Sequence, residues 1–171
     1  MNQTSELDVA KDTLEERGKL LVQAADIWAV GSLLDVTKQF PVLRDISSDD
    51  WDFFATVAGV FVGVNRLIGR IPNERFKQLF ANVIDPEVNR WNRDGSRALE
   101  DCNQFVGQAR TQMDSGELTA SDLLGQWLVL NLLQPPEVTR DMANTMRQVG
   151  GFVATPFADW WTDCPEFVQT P

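Results

Sequence analysis

Apolar side chains return at every third or fourth position along most of this chain, and the helix breakers fall between the runs rather than inside them. Val88, Trp91, Gly95, Ala98, Cys102, Phe105, Ala109 and Met113 follow that spacing most cleanly, and Leu99 and Val106 widen the stripe. This predicts one helix from Pro86 to about Met113 with a single buried face. Pro86 stands at the first helical position, where its missing N–H costs nothing. Gly95 falls in mid-helix, at a cost of about 1 kcal/mol relative to alanine, which close approach of another helix would offset.

The same reading gives the other elements. A first helix is expected from about Ser5 to Phe40, amphipathic early and apolar almost all round from Leu20 to Leu34, as if it emerged from solvent into a core. Pro41 ends it. Ser47-Ser48-Asp49-Asp50 opens a second helix running to about Gly69, with a small polar cap and acids at the positive dipole end. A short third helix starts near Asn73, and Asp85-Pro86 restarts the chain. Thr119 caps a fifth helix, Ala120 to Leu133; Pro135-Pro136 separates it from a sixth that Gly150-Gly151 ends. Thr155-Pro156 opens a last short helix with Phe157, Trp160 and Trp161. Val60, Val62 and Val64 alternate as in a strand, yet no second run offers pairing, so helix is expected there too.

The expectation is therefore an all-α fold: one domain over residues 1–171, a bundle of six or seven helices, with a mobile tail from about residue 163. Six Trp and ten Phe supply ample core-forming side chains. Ala55, Gly59 and Gly63 recur every four positions and let another backbone approach, within the domain or across a homodimer seam.

Charge narrows the function. The formal net charge is −10, which opposes nucleic-acid binding and docking on anionic lipid. The uncharged run from Phe53 to Asn65 spans about 20 Å as helix, short of the ~30 Å of hydrocarbon a spanning segment must cross. Met1 to Asp12 is polar and acidic, without the apolar core of a signal peptide. Two cysteines, Cys102 and Cys164, match no metal-ligand spacing, and the chain reads as reduced and cytoplasmic.

The chain contains no histidine. That removes Ser-His-Asp and Cys-His catalysis, histidine zinc and iron sites, and a haem on a proximal histidine. Tyrosine is absent as well. Carboxylates remain: Asp8, Asp12 and Glu15 share one face of the first helix, and Glu100-Asp101 offer a second helix's share of a Mg²⁺ site for phosphate chemistry. All-α nucleotide pyrophosphohydrolases are similar in outline. Their paired Glu-x-x-Glu and Glu-x-x-Asp runs are approached here only by Asp12-x-x-Glu15, and a solvated acidic face explains the same residues.

The middle third of the chain holds most of the arginine. Arg90, Arg93 and Arg97 share a helical face fit for an anionic partner, although Glu87–Arg90, Asp94–Arg97 and Arg97–Asp101 are also ready-made helix ion pairs. Trp160 and Trp161 are adjacent and cannot share one helical face, so one of them is expected to be exposed or buried against a partner. Trp28, Trp51, Trp91 and Trp127 form either core or the lining of a ligand pocket.

The sequence thus points first to a non-enzymatic, acidic protein-interaction module of adaptor, immunity or chaperone type. It carries no expected cofactor and no catalytic residue. A small-molecule binder with a Trp-lined pocket and a Mg²⁺-dependent phosphohydrolase are the alternatives.

Overall fold

The computed structural model describes residues 13–90, 94–164 and 167. In chain order the elements are α1 (Leu14–Gln39), a 3-10 turn (Pro41–Leu43), α2 (Ser48–Leu67), α3 (Asn73–Leu79), a π turn (Phe80–Ile84), α4 (Asp85–Val88), α5 (Gly95–Gln108), α6 (Arg110–Asp114), α7 (Ala120–Leu133), α8 (Arg140–Ala154) and a 3-10 turn (Thr155–Phe157). With α3, the π turn and α4 taken as one continuous run, that is seven helices, and no strand occurs among the described residues.

Local chemistry sets the helix starts. Thr13, Ser47, Asp94, Thr119 and Thr139 each stand before a helix and accept a backbone N–H with the side chain. Thr119 and Asp122 complete a reciprocal capping box. The extended Thr13 starts α1 at Leu14, later than the expected Ser5; Ser5 to Asp12 lie outside the described residues.

Three more boundaries differ from expectation. The single helix foreseen from Pro86 to Met113 is divided among α4, α5 and α6. Asp94 caps a new helix by accepting the Arg97 N–H at 3.0 Å, so Gly95 opens a helix instead of sitting in the middle of one. The apolar stripe survives the break because Val88, Leu99, Cys102 and Val106 all enter the same core. Gly150-Gly151 does not end α8, which continues to Ala154. A side chain at Gly150 would overlap the Ser121 carbonyl, and one at Gly125 would overlap the Met146 carbonyl. These two glycines are where α7 and α8 touch. Asp85-Pro86 does not restart the chain either. The π turn before it shifts the Asp85 N–H onto the Phe80 carbonyl and absorbs a proline that cannot donate.

α2 is the central helix, buried from Ala55 to Phe61 without interruption. Its small-residue ladder serves the domain itself. A side chain at Gly63 would collide with Leu21 of α1, and one at Gly59 with Phe157. Around this contact Trp28 meets Phe157 edge-on at 5.6 Å and Trp51 at 6.2 Å. Each buried indole N–H is satisfied: Trp51 donates to the Ala29 carbonyl at 3.0 Å and Trp127 to Asp101 at 2.9 Å.

Candidate functional site

The side of α1 that faces away from α2 carries the largest departure from a polar surface. Leu21, Val22, Ala25, Ala29, Ser32 and Val36 are buried against the domain. On the opposite side Leu20, Ile27, Val30 and Leu34 are 51%, 73%, 58% and 70% exposed. Leu20, Ile27 and Leu34 are seven residues apart, and Val30 lies beside them, so the four form one edge. Leu20 to Leu34 covers about 21 Å at 1.5 Å per residue. Among the described residues, four of the seven large exposed apolar side chains fall on this edge, whereas Val42, Ile68 and Val138 are scattered.

The two ends of the stripe are electrically balanced. Glu16 and Lys19 flank its beginning and Asp35 and Lys38 its end, all four exposed. Among the described residues none of them forms an ion pair within the chain. A side chain at Gly31 would meet nothing within 4 Å, so the stripe is indented there. Helix α1 is also long enough and, over an 18-residue window of mean hydropathy 1.4, apolar enough to cross a membrane; 33% of that window is buried in the fold.

The residues singled out from the sequence are dispersed. Glu15 is gripped by Arg75 through both carboxylate oxygens, one at 2.8 Å, which fastens the start of α1 to α3. That pair of hydrogen bonds from the Arg75 guanidinium holds the Glu15 carboxyl below its usual range. Asp101 accepts the Trp127 indole N–H, and Glu100 accepts an amide N–H of Gln104 at 3.3 Å. Asp8 and Asp12 lie outside the described residues. Among the described residues no group of three or more His, Cys, Asp or Glu could hold a metal ion. The Mg²⁺ constellation therefore does not assemble from Glu15, Glu100 and Asp101.

The arginine face resolves into separate roles. Arg90 reaches Glu87 at 3.5 Å, as expected. Arg93 and Trp91 lie outside the described residues. Arg97 is exposed and, with Asp101, Trp127, Phe53 and Phe54, lines an open depression of about 300 Å³.

The tandem tryptophans are structural rather than displayed. Trp161 is 1% exposed and donates to the Gly63 carbonyl at 2.7 Å. Trp160 is half-buried; its indole N–H donates to the Arg17 carbonyl at 3.0 Å, and the Arg17 guanidinium donates back to the Trp160 carbonyl at 3.2 Å. Together they clamp the end of the chain onto α1 and α2. Cys164 is buried beyond them, and Phe167 packs under the Arg70 guanidinium, 5.9 Å from its ring centre. The other positions of the expected mobile tail after Cys164 lie outside the described residues.

One further concavity was not foreseen. Phe61, Val64, Ile68, Phe76, Phe80 and Leu99 line a cavity of about 310 Å³ between α2, the π turn and α5, with Asp85, Ser96 and Glu100 at its polar margin. Ser96 donates to Asp85 there. No tryptophan lines this cavity; of the tryptophans expected to line a pocket, Trp127 lines the open depression beside Arg97. The π turn created by Pro86 supplies Phe80, and that was the signal available in the sequence.

No protein family, curated protein or solved structure matches this chain.

Proposed function

We propose that this protein is a non-enzymatic interaction module that receives an amphipathic helix of a protein partner on the outward edge of α1. The observation that carries the reading is the row Leu20, Ile27, Val30 and Leu34, left in water on a helix whose other side is fully packed. A straight, heptad-spaced apolar edge is the shape that another helix fits. The net charge of −10 disfavours nucleic acid and anionic lipid as occupants. A photo-activated cross-linking residue at position 27, introduced in the producing cell, tests this. The expected adduct is with a helical protein segment; it disappears when Leu20 and Leu34 become aspartate and survives Ile68→Asp. An adduct with lipid alone, or none, defeats the reading.

The phenylalanine-lined cavity favours a second reading, a small-molecule site. Its volume is at the lower end for ligand pockets. Its apolar wall, with two carboxylates and no basic side chain lining it, suits an apolar amine. Apolar amines should raise the melting temperature while their carboxylate analogues do not; an absence of any shift from either series removes this reading.

A further inference from the structure

We infer that the outward edge of α1 pairs with the same edge of a second copy of this chain, the two helices running antiparallel about a two-fold axis at Ile27. The inference rests on the reading of α1 as a docking edge and names its occupant. A two-fold contact requires a patch that complements itself, each residue meeting a counterpart that meets it in return. In an antiparallel pair crossing at Ile27, positions equally distant from Ile27 on either side come level with one another. Leu20 and Leu34 are each seven residues from Ile27, so each leucine of one copy meets the other leucine of its mate. Ile27 meets Ile27 on the axis.

The ends of the stripe obey the same symmetry. Glu16 and Lys38 are each eleven residues from Ile27 and lie close to the line of the stripe, so an acid faces a base at both ends of the seam. A parallel pair would set Glu16 against Glu16 and Lys38 against Lys38, and would align the two helix dipoles unfavourably. Along one side of the seam Gly31 comes beside the second copy's Ala24, and two small residues let the backbones approach. The four exposed charges at the two ends of the stripe, Glu16, Lys19, Asp35 and Lys38, sum to zero in a chain that carries −10 overall, so the ends of the seam add no net like-charge repulsion. A seam of four turns is at the small end for a specific interface, so the pairing is a reversible, concentration-dependent one.

Sedimentation velocity across a concentration series, with cysteine cross-linking, tests the pairing. The intact chain should move from its 19.2 kDa monomer toward twice that mass as concentration rises. Ile27→Asp should remain monomeric with unchanged helicity and melting temperature, because Ile27 is 73% exposed and supports no part of the core. Leu20→Cys mixed with Leu34→Cys should form a disulfide-linked dimer on mild oxidation, while neither variant does so alone; the native Cys102 and Cys164 are buried and do not interfere. Cross-linking of each variant with itself but not in the mixture means a parallel pair and overturns the inference. A chain that stays monomeric into the millimolar range overturns it too, while an adduct from position 27 with a different protein would still uphold the docking edge.

Discussion

The indole N–H of Trp161 donates to the carbonyl of Gly63 at 2.7 Å, tying a residue 98 positions later onto the last third of the central helix. Gly63 is also where α1 crosses α2, with Leu21 filling the space that a side chain would need. One residue therefore receives the first helix on one side and the end of the chain on another. Trp161→Phe removes the hydrogen bond and leaves a void at a site that is 1% exposed. The expected loss is roughly 2–3 kcal/mol, read as a lower urea midpoint at unchanged slope. Trp160→Phe loses only a half-buried bond to Arg17, and the expected cost is about 1 kcal/mol.

Glycines in this chain divide by what surrounds them. Gly125→Ala places a methyl group onto the Met146 carbonyl, a backbone atom that cannot turn aside, so α7 and α8 must separate. The expected destabilisation is about 3 kcal/mol, at the upper end for overpacking. Gly107→Ala meets nothing within 4 Å in a helix of ordinary handedness, and it should stabilise by about 0.5–1 kcal/mol. Thermal melts of the two variants should move in opposite directions.

The same glycines show what could be read in the sequence. Helix as the sole secondary structure was legible, including Val57–Val64, because a lone alternating run has nothing to pair with. The caps at Ser47 and Thr119 were legible from local chemistry alone. Gly150 was not, because the residue that makes it necessary, Gly125, lies 25 positions earlier on another helix. The break between α4 and α5 was hidden because both fragments keep their apolar residues in phase with one core. The exposed apolar edge of α1 was hidden for a related reason. A helix apolar all round looks like a core helix until it is known that its neighbours cover only one side.

Two carboxylates should respond to acid with opposite signs. Arg75 holds Glu15 below the ordinary value of 4.5, so its ionised form favours the folded state. That contribution is complete above pH 4.5 and is lost as pH falls through the lower folded value. Asp52 is raised above 3.8, first by burial and then by the charges of Asp26 and Asp49. Its ionisation costs the folded state, so stability falls as pH rises from 3.8 through the raised value. Glu15→Gln should therefore destabilise and Asp52→Asn should stabilise at pH 7, each by under about 1 kcal/mol because both groups keep contact with solvent. Both differences should shrink in urea titrations below pH 3.8.

Cys102 should behave as a core methyl group and not as a nucleophile. It is 0% exposed, and burial, helped by the neighbouring Asp101 carboxylate, pushes its thiol well above the ordinary range. Thiolate is the reactive form, so the folded protein both hides this sulfur and keeps it protonated. Cys164 is 3% exposed, but it stands in the turn after Trp161 rather than within a helix. Local opening of a terminal turn costs far less than global unfolding, whereas exposing Cys102 requires α5 to leave the core. A chromogenic disulfide reagent should then label the native chain slowly, at Cys164 before Cys102, and both at once in strong denaturant. Cys102→Ser and Cys164→Ser variants assign the two phases. Rapid labelling of Cys102 in the absence of denaturant would mean that α5 is not packed as described.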